Sequence, residues 1–403
     1  NTIMGYIAAA DITDDTNNVV IGHRAGNALT DSDNVIIGSD AARVGTTHTG
    51  NVVIGKTAAG NAAFTADNNV IIGKESSLSI TTGSSNTIMG ADSAKTITEG
   101  HSSVIIGQNA GAALTTGHSV VFIGQAAGDG HDTEHDNLAI GRAALGGAVA
   151  GGEFNVAVGN DTLQTLTSGD SNSMLGYQAG YSVTDGYSNT FIGSGAGAGV
   201  TGGFSNVLIG ANAAHSNTTN LTTGDQNTLV GRNIQPTSTN TNTANGLGYF
   251  LTCEGGYTTL GSTSSDIRAA HGTATWATVS DERFKKNIET SDAGLAVIND
   301  LRPVTYNWKT KGEVPEWSRA YEAGSDEQYR NSKLNHGFIA QEVKAVIDSH
   351  SELKDGFSMW YEREDGQQEV GETAIVPMLV KAVQELSATV TTLQQEINTL
   401  KGE

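Results

Sequence analysis

The sequence predicts a mainly β chain: a repetitive parallel β-roll or β-solenoid of about 17 residues per coil, followed by an α+β domain that ends in a coiled-coil helix. Three observations predict it. A Gly closing a short apolar run recurs fourteen times between Gly5 and Gly231, at spacings of 16 to 18 residues until a last step of 21. Composition then changes near residue 280: residues 1–279 hold 8 of the 22 Lys+Arg and 21 of the 43 Asp+Glu, and the shorter remainder holds 14 and 22. Finally, Leu379, Val383, Leu386, Val390, Leu393, Ile397 and Leu400 alternate steps of four and three, a seam of about three heptads.

The repeat is taken first, over residues 1–234. Asn stands four residues before the Gly in twelve of the fourteen copies, the exceptions being Ser103 and Val120. Ala stands three residues after it in ten, with Ser76, Ser93, Thr162 and Ile234 in the others. A unit such as Asn34–Ala42 is too short to bury its own apolar face, but stacked copies bury it jointly. Val35, Ile36 and Ile37 favour a strand. Gly supplies a turn conformation or a close backbone approach, and the small Ala suits a tight inner corner. Repeated Asn bonds turn backbone and can stack as a ladder. At roughly 4.8 Å per coil, fourteen coils make a rod about 65 Å long. An ice-binding solenoid needs aligned Thr pairs on one flat face, and the Thr here fall in the connecting loops.

Residues 235–279 lose the repeat and read as a linker followed by strands of a distal tip. Gln235 to Asn245 has linker composition. Tyr249, Phe250, Tyr257 and Trp276 are candidates for receptor contact, because exposed aromatics offer large contact area and stack on sugar rings; filling the core of a cap is the equal alternative.

Residues 280–403 change character, with three of the four Trp and three of the four Pro. The pattern predicts a helix over 293–301 ending before Pro303, a strand over 303–308, a helix over 338–347, and the coiled coil over 379–401. Val or Ile at a with Leu at d is by itself a dimer pattern.

At the junction, residues 276–289 read Trp-Ala-Thr-Val-Ser-Asp-Glu-Arg-Phe-Lys-Lys-Asn-Ile-Glu. A serine hydroxyl needs a neighbouring base, and a lysine serves once burial or a nearby cation lowers its pKa. Ser280 and Lys285 are the candidate catalytic pair. Attack of Ser280 on the carbonyl of Val279 would turn the peptide into an ester that water hydrolyses, separating residues 1–279 from 280–403. Lys285 would take the hydroxyl proton and return it to the leaving amine. Lys286 is a solvated surface charge in this reading.

This stretch, together with His336–Val343 (His-Gly-Phe-Ile-Ala-Gln-Glu-Val) and Val376–Leu386 (Val-Pro-Met-Leu-Val-Lys-Ala-Val-Gln-Glu-Leu), resembles the endosialidase-type intramolecular chaperone carried at the C-terminus of phage tail fibres and tailspikes. Phe284 stands where such sites more often carry Leu. The resemblance implies a homotrimer in which the domain directs folding and is then cleaved off between Val279 and Ser280. The upstream repeat is similar to the β-roll heads of trimeric autotransporter adhesins, and Gly176–Gly180 (Gly-Tyr-Gln-Ala-Gly) to arrays in phage fibres. Together they imply a virion tail fibre, assembled in the host cytoplasm, that binds a host cell-surface receptor, a glycan or an outer-surface protein. Two alternatives remain: a tailspike enzyme degrading surface polysaccharide, for which acids such as Glu99 and Asp161 form no defensible pair, and a bacterial adhesin with a borrowed chaperone.

No cofactor or metal is expected. Cys253 is alone. Gly130–Asp136 gathers His131, His135 and three carboxylates but reads as a solvated polar turn, and Asp31-Ser-Asp33 lacks the spacing of a recognised Ca²⁺ loop. A net charge of −21 argues against nucleic acid and anionic membrane as direct partners. No transmembrane run is visible, and because Asn1 is not an initiator Met, an attachment region is expected to precede it.

Overall fold

Each apolar triplet before a repeated Gly forms a three-residue strand, from Thr2–Met4 to Thr228–Val230, and each pairs in parallel with the strand one coil later. The computed structural model describes residues 1–215, 219–263, 265–273, 280–318, 320–353, 359–363 and 366–402. The chain divides into two units, Asn1–Ser280 and Asp281–Glu403. The first is a mainly β solenoid of about 17 residues per coil, as the repeat predicts.

Coils align residue for residue: Val35 faces Val52, Ile36 faces Val53 and Ile37 faces Ile54. From the second triplet on, the middle residue points inward and is buried in coil after coil, as at Val20, Ile36, Val53, Ile71 and Phe122. Backbone bonds between neighbouring coils run right round the turn, for example Val52 N–H to Asn69 O (2.8 Å), Thr57 N–H to Ser39 O (2.9 Å) and Asn61 N–H to Leu78 O (3.1 Å). The chain achieves this by entering the left-handed region after each Gly, at residues such as Asp40 (φ 57°) and Ala42 (φ 43°). Such residues cost about 1 kcal/mol each, and the ladder around them compensates.

The three repeated residues have distinct structural work. A Cβ on Gly107, at φ +144°, would sit 2.2 Å from the Gly124 carbonyl oxygen, so only Gly fits that corner. The Asn residues form a buried ladder. Asn18 Oδ1 accepts from the Asn34 N–H (2.8 Å), Asn34 Oδ1 from the Asn51 N–H (3.1 Å), and the Asn51 amide donates to Ala66 O (2.9 Å). The Ala after each Gly is buried in the core, as at Ala25, Ala41 and Ala58. Contrary to the sequence reading, the loop threonines do align. Thr81, Thr98 and Thr115 form a column, and each hydroxyl donates to a backbone carbonyl of the next coil (3.0, 3.2 and 2.9 Å). Each hydroxyl is thereby tied to the neighbouring coil.

Where the sequence repeat fades after Ile234, the ladder does not. Asn245–Tyr249 pairs in parallel with Thr228–Val230, and Tyr257–Ser262 pairs in parallel with Asn245–Tyr249. Gly248 (φ 155°) and Gly261 (φ 141°) continue the glycine column. Ser265–Ala270 then pairs antiparallel with Tyr257–Ser262, covering the last parallel edge.

Among the described residues the second unit has three α-helices: α1 (Leu295–Asp300), α2 (Ala340–Ser349) and α3 (Val376–Lys401). Two small antiparallel pairs, Val304–Tyr306 with Asn335–Gly337 and Trp360–Glu362 with Gln368–Val370, complete it. Its core is small, built on Val297, Val343, Ile347, Met359 and Met378. Pro377 stands in the first turn of α3, and Gly402 closes it in the left-handed conformation. Glu385 on α3 accepts the Leu295 N–H (2.8 Å), capping α1. The seam Leu379, Val383, Leu386, Val390, Leu393, Ile397 and Leu400 lies along α3 and is exposed throughout.

Candidate functional site

Ser280 and Lys285 flank one short, well-tied turn. Asp281 caps the 3₁₀ turn Glu282–Phe284: its Oδ1 accepts the Arg283 N–H (2.9 Å), and both carboxylate oxygens accept from Arg283 Nε (3.0 Å each). The Arg283 guanidinium holds the Asp281 carboxyl below the usual carboxylate range. Lys285 ends the turn in extended conformation, and its N–H donates to Glu282 O (2.9 Å). The sequence between the two candidate residues is thus held by local bonds, the Asp281–Arg283 fork and the Lys285 N–H to Glu282 O among them.

Ser280, Lys285 and Lys286 are all exposed, as are Phe284 (79 %) and Ile288 (61 %). A lysine acts as a base when burial or a neighbouring cation favours its neutral form. The exposed apolar side chains beside Lys285 are the surface that such cover would use. Val279, the other residue of the candidate cleavage site, lies outside the described residues, as does Trp276.

Of the aromatics singled out at the end of the solenoid, two come together. Tyr249 (42 % exposed) and Phe250 (47 %) meet edge to face with ring centroids 4.7 Å apart. Tyr257 is half-buried, with the Arg268 guanidinium 4.9 Å over its ring and Arg268 paired to Glu254 (2.6 Å).

One surface escaped the sequence reading. The first and third residues of each triplet point away from the core, where water would favour polar side chains, yet the third is apolar in every copy, among them Ile37, Ile54, Ile106, Ile123 and Leu175. The signal was available: a strand with one buried face should alternate, and these triplets do not. The column continues through Leu247 and Leu260 to Ile267.

The histidine-rich turn is a correction. His131 does not sit in a solvated loop with His135; it is fully buried, with its ring 5.1 Å from that of Phe122. His135 lies at the surface between Asp136 (2.8 Å) and Glu153 (2.9 Å). Among the described residues no three metal-ligating side chains are gathered. Cys253 is buried, which pushes its thiol up to about 11. Asp161 pairs with Arg142 (2.6 Å), and Glu99 is exposed. In the second unit, a cleft of about 410 Å³ is lined by Val304, Thr305, His336, Phe338 and Glu372. Among the described residues, no helix is long and apolar enough to cross a membrane.

No curated protein and no solved structure matches the chain. Residues 280–351 match the family described as chaperone of endosialidase, and the match begins at the candidate nucleophile itself.

Proposed function

We propose that the chain is a virion tail fibre. In this reading a homotrimer is assembled by the C-terminal chaperone domain, which then cuts itself away between Val279 and Ser280. The observation that carries the reading is a chaperone-of-endosialidase domain starting at Ser280, directly downstream of a parallel β-solenoid. That family implies trimer formation, and a chaperone domain behind a solenoid fits a tail-fibre or tailspike-type trimeric protein. Two outward apolar surfaces support it: the column along the solenoid strands, half-buried for most of its length, and the exposed seam of α3. Both are continuous, and apolar surface on that scale marks association.

The chemistry follows from the two site residues. Ser280 Oγ attacks the Val279 carbonyl while Lys285, as the neutral amine, takes the hydroxyl proton. The C–N bond breaks, Lys285 returns the proton to the Ser280 amine, and water hydrolyses the resulting ester. Because the site is exposed in the single chain, its cover comes from the assembled chaperone, so that cutting follows assembly. The solenoid needs such a clamp because three repetitive chains find register slowly, and tying their C-termini raises effective concentration. Cleavage then leaves a fibre that cannot readily retrace its folding. Tyr249 and Phe250 are the residues we assign to contact with a host surface receptor.

Replacing Ser280 with Ala or Lys285 with Ala leaves an uncut trimer, whereas Lys286→Ala is processed nearly as the parent; a denaturing gel reads all three. Two bands from Ser280→Ala would remove the serine from the mechanism. Equal loss in both lysine variants would show that they act through folding of the turn. Tyr249→Ala and Phe250→Ala keep the trimer and lower binding to host cells.

A further inference from the structure

His131 interrupts two rules of the solenoid at once. Six residues before the Asn position, other coils place an aliphatic core residue: Ile80, Ile97, Leu114, Val149, Leu166, Val183 and Val200. The same turn also breaks a glycine column. Where Gly83, Gly100, Gly117, Gly152 and Gly169 stand three residues before the Asn position, this coil has Glu134, which is only 2 % exposed. An imidazole and a carboxylate have replaced a Leu and a Gly inside one buried turn. The Glu134 carboxylate is held by the N–H groups of Asp132 (3.0 Å) and Gly151 (2.9 Å).

The same stretch is where the Asn ladder fails. Ser103 takes the Asn86 acceptor (3.1 Å) and offers its hydroxyl to Val120 N–H at 3.3 Å, but the Val120 side chain has no acceptor for the next coil. The ladder resumes only with Asn137, whose Oδ1 accepts from Asn155 N–H (2.9 Å). Along these coils His101, His118 and His135 form a column of edge-to-face contacts, with ring centroids 4.6 and 4.9 Å apart.

We propose that the coils around His131 are an acid-sensitive seam, at which the solenoid opens first when the pH falls. The proposal is independent of the cleavage reading. The groups facing His131 are the Phe122 ring, the Asp132 and Glu134 carboxylates and the Leu145 backbone, with Asp129 in the same turn. Burial drives the imidazole pKa down to about 4 despite the two carboxylates and the Leu145 backbone, which act the other way. Since the folded value lies below the unfolded 6.5, the contribution of neutral His131 is complete above pH 6.5 and is lost as pH falls toward 4.

Hydrogen exchange of the full-chain protein at pH 7.5 and pH 5.0, corrected for the intrinsic rate, tests this. From the two pKa values, the opening equilibrium for residues 118–137 rises about thirtyfold at pH 5.0. Residues 156–210, which contain no His, keep their protection. His131→Leu, the residue this column already carries at Leu114 and Leu166, removes most of the acid response. Equal acid responses in the two windows would overturn the proposal, as would a full response in His131→Leu; if that variant fails to fold, the comparison of windows in the parent protein still decides.

Discussion

The solenoid and the chaperone unit solve the same problem in opposite ways. In the solenoid each coil satisfies its backbone against the coils on either side, and its inward residues from Val20 to Leu229 are fully buried. In the second unit a small core supports a 26-residue helix whose apolar seam faces water. A repeat that contacts its neighbours in sequence can complete its core alone, whereas a helix of three heptads needs partners. The solenoid is therefore ordered by its own chain, with an apolar column left on its outer face. In the second unit the longest element leaves its apolar seam exposed, which in the proposed assembly other copies would cover.

Breaking the seam sharpens this most. Leu386→Asp with Leu393→Asp places charges where the seam is exposed, so the α/β core of the unit folds, while trimer formation is abolished; light scattering of the purified protein reads it. Retention of the trimer would mean that the domain above α3 suffices for assembly. Next, Gly107→Ala forces a Cβ against the Gly124 carbonyl at an unfavourable φ and costs at least about 3 kcal/mol, read as a lowered melting temperature. Gly324→Ala in the second unit has a similar sign of φ (+73°) but nothing within 4 Å, so it costs only about 1 kcal/mol.

The buried ladder ranks third. Asn155→Ala removes the acceptor of the Asn172 N–H (3.0 Å) and the donor to Gly169 O (2.9 Å), a loss of about 2 to 3 kcal/mol in thermal unfolding. The reverse change, Val120→Asn, restores the missing rung and gains about 1 kcal/mol. His48 carries the pH dependence of the third coil. It is fully buried, its Nδ1 lies 3.2 Å from Asn34 Oδ1, and burial lowers its pKa to about 4. Its contribution is intact above pH 6.5 and declines toward pH 4, so the third coil loses about 2 kcal/mol of local stability at pH 5 relative to pH 7.5, within an Asn ladder that is unbroken there. A flat pH profile would place a water path to that ring.

Much of the fold was legible because its rules are local. The Gly spacing marked every strand from Thr2–Met4 to Thr228–Val230, and Pro303 marked the end of the first helix of the second unit. Gly248, seventeen residues after Gly231, would have shown that the coils continue past Ile234, but the loss of Asn at Ala244 hid it. Ala244 still donates its N–H to Asn227 Oδ1 (2.9 Å), so the backbone keeps a rung that the side chain no longer advertises. Ser280 and Lys285 were legible as residue types at a spacing, and the capped turn between them was not, since it rests on the fork between Asp281 and Arg283.

By itself the sequence determined the period, the residue that each corner admits and the heptad seam, because a glycine corner, an Asn rung and a 3.5-residue repeat depend on a few neighbouring residues. Only the tertiary structure decided which side of the coil each residue faces. In the turns, where the chain passes through left-handed residues, His131 is carried into the core and His135 to the surface. No period in the chain encodes that placement, since it is set only when each coil is held against the next.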